Sequence, residues 1–280
     1  MSRVKLGAGT YAFCDVDVFE ALPRLRRIGF EAIEILAGEG WPTAPAHINS
    51  NDRSALSNAI RDQGFDSPAL MALLPLCEEG AGQQAVEAEF RAVCQLARDL
   101  SFSDDPSILS SPIGHESPAW ASGRARIADR LCALADIAQE HGVILAVEPH
   151  VGNPLDSPEK AVWLMQQTNH PALRLNFDIS HFHVQGMDLR HSIQACLPYA
   201  AHIHVKDGYI DAHGEVVFLL PGQGSLDLGD YFRILAEHDS TIPVTAEVSA
   251  MIWRRPDYDP WAAAEQSFAA LDAARRAAGS

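Results

Sequence analysis

Four short runs in the second half of the chain end in side chains able to hold a metal or move a proton. They are Val147-Glu148-Pro149-His150, Asn176-Phe177-Asp178-Ile179-Ser180-His181, His202-Ile203-His204-Val205-Lys206-Asp207 and Thr245-Ala246-Glu247-Val248-Ser249. Side chains alternate across a strand with period two, so if Ile203 and Val205 face one way, His202, His204 and Lys206 face the other. The same count puts Glu148 and His150 on one side and turns Ala246 and Val248 away from Glu247. On neighbouring strands, Glu148, Asp178, His204 and Glu247 converge as three carboxylates and one imidazole. Burying three carboxylates together without a cation is very costly. An oxygen-rich set with one nitrogen and open positions suits Mn²⁺, with Mg²⁺, Co²⁺ or Zn²⁺ as alternatives, better than a thiolate-seeking ion.

The elements that must position these groups follow from hydrophobic periodicity. Strands are expected at 3–12, 32–36, 66–74, 104–112, 143–149, 173–179, 201–206 and 242–249, each followed by an amphipathic stretch. The helices are expected near 16–29, 51–63, 83–100, 123–141, 157–168, 188–200, 228–238 and 258–277. Val86, Phe90, Val93 and Ala97 form one apolar stripe, and Ser157-Pro158 reads as an N-cap followed by proline in the first turn. Eight strand-helix pairs in 280 residues, with no linker between halves, predict an α/β chain folded as a single (β/α)8 TIM barrel over residues 1–280. An open parallel sheet is the less supported alternative, because no strand is followed by G-x-G-x-x-G. Long connections at 75–83 and 207–227 are candidates for function or assembly.

Lys and Arg number 21 against 37 Asp and Glu, a formal charge of −16 that repels polyanions and argues against nucleic acid or an anionic membrane as partner. Five cysteines without a C-x-x-C pair suit reduced thiols, and no signal peptide or membrane-length apolar run is evident. A cytoplasmic location is the expectation.

The residues resemble the xylose isomerase-like TIM barrels, the sugar phosphate isomerase/epimerase superfamily. The resemblance spans the whole chain in organisation, including Leu6-Gly7 and Gly29-Phe30-Glu31-Ala32-Ile33-Glu34-Ile35, and is most specific over 148–247. It implies metal ligands at Glu148, Asp178, His204 and Glu247. It also implies that His181, in Asp178-Ile179-Ser180-His181, contacts substrate or metal-bound water. His204-Val205-Lys206-Asp207 is similar to the H-x-K-D of the inosose dehydratase branch, and Pro221-Gly222-Gln223-Gly224 to the family's G-x-G loop. Homo-oligomers, dimers or tetramers, are common in the family.

The implied chemistry also follows from the groups. A divalent ion chelated by a carbonyl and a neighbouring hydroxyl acidifies the adjacent C–H, and a carboxylate in reach removes the proton. Glu148, Glu247 and His181 are the candidate catalytic residues, and the expected activity is isomerisation or epimerisation of a keto-sugar or related polyol. Loss of a β-hydroxyl from the same enediolate would instead make a dehydratase or lyase acting on a keto-polyol or keto-glycoside. Pro149-His150 stands where ketose 3-epimerases place an asparagine-arginine pair after the glutamate of strand five, and His150 could orient a substrate hydroxyl or shuttle a proton. An endonuclease IV-like nuclease would use His115 and Asp211-Ala212-His213, but strand three offers no histidine. A non-catalytic sugar-binding barrel is the reading from another class.

Candidate substrate contacts are His150, Lys206, Glu34 and Arg254. Lys206 offers a cation for a substrate oxygen or an ion pair with Asp207 or a nearby carboxylate, and Glu34 an acceptor for a substrate hydroxyl or a structural carboxylate. Arg254 follows the last strand as a clamp for an anion or a surface residue, and Trp41 and Trp120 are candidate walls. His202 is expected deeper, as a hydrogen-bonded core histidine, with His183 and His191 on loop and helix surface.

Overall fold

A computed structural model describes residues 4–80 and 82–279. Seven parallel strands follow one another around a barrel: β1 (Leu6–Gly9), β2 (Ala32–Leu36), β3 (Ala69–Met71), β4 (Ser107–Pro112), β5 (Val143–Glu148), β6 (Leu173–Asp178) and β7 (Ala200–Val205). The connection at 207–227 then contains an antiparallel hairpin, β8 (Asp207–Ile210) with β9 (Val216–Leu219). The eighth barrel strand, β10 (Val244–Ala246), pairs with both β7 and β1 and completes the ring. The (β/α)8 expectation from periodicity is borne out.

The helices in chain order are α1 (Val18–Ile28), α2 (Ser50–Asp62), α3 (Gln83–Leu100), α4 (Trp120–Glu140), α5 (Pro158–Thr168), α6 (Ile179–His183), α7 (Leu189–Cys196), α8 (Leu228–Glu237), α9 (Ala250–Trp253) and α10 (Pro260–Ala277). The short α6 and α9 directly follow β6 and β10, and the longer ones surround the barrel. Helix starts are set by local chemistry. Asn49 and Asp52 form a reciprocal capping box on α2, Ser157 caps α5 ahead of Pro158, and Asp259 accepts from Trp261 and Ala262 at the start of α10. Gly29 ends α1 at φ 128, where any Cβ would run into the Phe268 ring of α10. The α10 residue Arg275, fully buried, donates to the Val4 carbonyl at 2.6 Å and to Glu31 and Asp272 at 2.9 and 2.5 Å, tying the last helix to the strand that opens the barrel.

The strands at the two ends of the sequence are shorter than their apolar runs suggested. The run at 3–12 is strand only over Leu6–Gly9, with residue 3 outside the described residues, and that at 242–249 only over Val244–Ala246. Backbone beyond the ladder turns outward to build the mouth. The hairpin and the two short helices all stand at the C-terminal ends of the strands, the end where barrels carry their sites.

Candidate active site

Glu148 is the last residue of β5 and Asp178 the last of β6, while His204 lies in β7 and Glu247 follows β10. Their ligand atoms all lie within 4.8 Å of one another. Glu148, Asp178 and His204 are buried, and Glu247 is only slightly exposed. His204 Nδ1 is 3.1 Å from Glu247 Oε2 and 3.6 Å from Glu148 Oε1. His181 Nε2 stands 3.6 Å from the same Glu148 oxygen, so this buried acceptor has imidazoles nearby but no hydrogen bond. Asp178 spends Oδ1 on the Ser180 N–H, capping α6 and turning Oδ2 into the cluster. That one-turn helix brings His181 to 3.7 Å from Asp178 Oδ2, the geometric content of the D-x-x-H spacing.

Lys206 enters this cluster instead of pairing with Asp207. Its ammonium donates to Asp178 Oδ2 at 2.5 Å and to Glu247 Oε2 at 2.7 Å, and the residue is 2% exposed. Its backbone is held by Ser180 Oγ, which accepts from the Lys206 N–H and donates to the Lys206 carbonyl. Asp207 turns elsewhere: its carboxylate accepts from the N–H groups of Gly208, Gly222 and Leu226, clamping the Gly222-Gln223-Gly224 loop.

Charge counting tests the fit of a cation. Three carboxylates facing one lysine leave two negative charges, which one divalent ion cancels when His204 is neutral, and the orphaned Glu148 oxygen supplies an unused donor. Burial alone would raise the carboxylate pKa values, but the surrounding cations prevail. Neighbouring His181 and His204 with Lys206 hold Glu148 well below the usual range, and Lys206 above all holds Asp178 and Glu247 down. Burial would likewise lower His204 and Lys206, yet Glu34 raises the first and Asp178 the second. Glu148, Asp178, His204 and Glu247 would hold the ion.

Glu34 does not line the mouth. It is 2% exposed on the inner side of His204, its carboxylate oxygens 3.0 Å from His204 Nε2, and Oε1 is also 3.0 Å from His202 Nε2. Its proximity to two imidazoles corrects the substrate-acceptor reading, because His204 stands between Glu34 and the three carboxylates. A carboxylate behind a ligand imidazole fixes ring orientation and tautomer. His202 lies deep as expected, but its Nε2 makes no hydrogen bond despite standing 3.0 Å from Glu34 Oε1, and the residue borders a separate cavity of about 530 Å³ that opens among residues at the opposite ends of the strands.

The mouth itself is a cavity of about 430 Å³ whose lining includes Glu148, His150, Lys206 and Glu247. His150 packs its ring 3.8 Å from that of His181, and burial, then His181, pushes its pKa down to about 4. Arg254 is absent from this lining: it is exposed, 5.0 Å from the Trp253 ring, so it stands on the rim and the clamp reading lacks a contact. Trp41 backs Tyr11 at a 5.7 Å ring separation, whereas Trp120 packs on Trp163 between α4 and α5. His183 contacts Ser225, and the exposed His191 lies 3.1 Å from Glu159. Asp211 and His213 shape the hairpin tip, where Asp211 accepts from the His213 N–H. Among the described residues neither they nor His115 belongs to a cluster able to bind metal.

Sequence reasoning missed Tyr11, Asn153 and Phe218, which also line the cavity. Asn153 is 4% exposed and its Oδ1 has no hydrogen-bond partner, a buried acceptor beside His150. Tyr11 comes from the one-turn 3-10 helix after β1, Asn153 from the connection after β5 and Phe218 from the hairpin, where no periodicity points to a site.

Comparison with known proteins agrees with this architecture. The family model described as xylose isomerase-like TIM barrel matches residues 22–274. Inosose dehydratase 1 of Bacillus cereus is 27% identical over 147 residues, covering 47% of this chain and 49% of the relative. The chain thus spans about half the length of the first curated relatives it matches. A structure of L-ribulose 3-epimerase superposes with a TM-score of 0.75 at 21% identity, over 98% of this chain and 96% of that one. A xylose isomerase-like TIM barrel protein from Mycobacterium smegmatis, solved in complex with magnesium, superposes at 0.73 with 16% identity over 100% of both chains. At these identities the structural likeness speaks for the fold alone. No helix among the described residues is long and apolar enough to cross a membrane.

Proposed function

The chain belongs to the xylose isomerase-like TIM barrel family, and from that premise we propose that it is a divalent-metal-dependent isomerase or epimerase of a keto-sugar or related polyol. The observation that carries the reading is the convergence of Glu148, Asp178, Glu247 and His204 within 4.8 Å at the mouth of the barrel. Mn²⁺ suits this donor set, with Mg²⁺ next. The ion, when bound, polarises a substrate carbonyl and lowers the pKa of the adjacent C–H.

The protein's own groups do the rest. Glu148 and Glu247 approach His204 Nδ1 from two neighbours, at 3.6 and 3.1 Å, so one takes the proton and the other returns it. Both lie in the cavity lining, within reach of a bound molecule. Held as carboxylates by Lys206 and the imidazoles, they are in the form a base needs. Lys206 and His150 face substrate oxygens, and His181 fixes the Glu148 side of the cluster.

A second reading is dehydration of a keto-polyol from the same enediolate. The inosose dehydratase relative supports the same alternative.

The experiment is incubation of the Mn²⁺-loaded protein with keto-polyols in deuterated water, followed by mass spectrometry. Isomerisation or epimerisation conserves the formula apart from solvent deuterium, and dehydration loses water. Absence of solvent deuterium from every recovered substrate and product, or activity and metal content untouched in Asp178→Asn, overturns the proposal.

A further inference from the structure

The mouth is two-sided. Its polar side comes from β5 to β7 and β10 and the segments after them, with Glu148, His150, Asn153, Lys206 and Glu247. The opposite arc, read around the ring from α9 past β1 to β3, is apolar at its edge. Met251 on α9 follows β10, Tyr11 follows β1, and Leu73 follows β3. Tyr11 is set against Trp41 at 5.7 Å and Trp253 at 5.3 Å, making a fixed aromatic wall between them. Leu73 and Met251 are 42% and 52% exposed, two of the five large hydrophobic side chains left in solvent among the described residues, and both border this one cavity. Its only lining lysine is already spanned by Asp178 and Glu247, and Glu78 adds a further acid. The cavity therefore lacks a free lysine or arginine for a phosphate or carboxylate among the described residues.

Resting on the enolising function proposed above, we infer that the substrate is an uncharged keto-polyol carrying an apolar substituent, a ketone-bearing alkyl or aryl glycoside, whose sugar meets the polar side while the substituent lies across Tyr11, Leu73 and Met251. Continuity of the apolar arc with the catalytic cavity favours this occupant over a surface contact. Covering half-exposed leucine and methionine side chains also supplies the hydrophobic term that a free sugar would forgo.

The test is calorimetric binding of methyl, butyl and hexyl β-D-glucopyranosides to the Mn²⁺-loaded protein and to Leu73→Ser/Met251→Ser. Both residues are exposed, so circular dichroism should show the variant folded. Affinity should rise roughly two- to fourfold per added methylene in the parent, the upper end being full burial of a CH₂, and the slope should flatten in the variant. A flat slope in the parent, equal slopes in both proteins, or no binding overturns the inference. So does sedimentation showing a dimer that the double substitution converts to monomer, because the arc would then be covered by a second copy. Solvent deuterium exchange on a keto-polyol lacking an aglycone is measured in parallel. Exchange without a chain-length slope defeats this inference alone, and a slope without exchange defeats the proposed chemistry alone.

Discussion

Glu34→Gln keeps the shape of the side chain while removing the charge that two buried imidazoles share. Burial would raise the Glu34 pKa, but His204 and then His202 hold it at about 2 against an ordinary 4.5. At about 1.36 kcal/mol per pH unit that gap corresponds to about 3 kcal/mol. Because the folded value lies below the unfolded one, this stabilisation is present above pH 4.5 and fades as pH falls towards 2. The metal-free variant should therefore unfold about 3 kcal/mol more easily than the parent at pH 7. With about 2.1 cal/mol/K of unfolding entropy per residue over 280 residues, that is a fall in Tm of roughly 5–6 °C. The difference should shrink towards pH 3. Losing the carboxylate behind a ligand imidazole should also weaken metal binding roughly 10–100-fold. The assays are denaturant unfolding at pH 7 and pH 3 and competition of the protein with a chromophoric chelator. A gap under about 1 kcal/mol at pH 7 together with an unchanged metal affinity would refute the role given to Glu34.

Lys206→Met leaves Asp178 and Glu247 without their ammonium, so the metal-free protein should lose about 3–5 kcal/mol. Mn²⁺ should restore much of that in thermal melts, and melts insensitive to metal would contradict the charge count. Gly224→Ala places a Cβ against the Asp207 carboxylate and 2.6 Å from the Gly208 nitrogen, which should cost about 1–3 kcal/mol by denaturant unfolding. Cys77, Cys94 and Cys196 are buried, and burial pushes their pKa values to about 12. A thiol reagent should label Cys14 and Cys132 first and reach the other three only after unfolding.

The converging quartet was legible because period-two alternation is a property of the backbone: in His202-Ile203-His204-Val205-Lys206 it separates core from axis without knowledge of any other strand. The start of α5 was legible for a similar reason, since Ser157 acts on the Lys160 N–H three residues on. The partners of Lys206 and Glu34 were not. Lys206 is adjacent to Asp207 in sequence, yet strand geometry directs the two to opposite tasks. Glu34 meets His204 across 170 positions of chain. The hairpin β8–β9 was hidden because four-residue strands, one of them containing Gly208, joined through a turn at Gly214 give little periodic signal. Tyr11, Asn153 and Leu73 reach the cavity from the connections after β1, β5 and β3, where side-chain direction is set by the fold as a whole.

The two-sided mouth divides the barrel for an engineer. The groups proposed to hold the ion and move the proton descend from β5, β6, β7 and β10, whereas Leu73 and Tyr11 hang on the connections after β3 and β1. Libraries confined to residues 10–13 and 72–80 would therefore alter which molecules are accepted while sparing the machinery that acts on them.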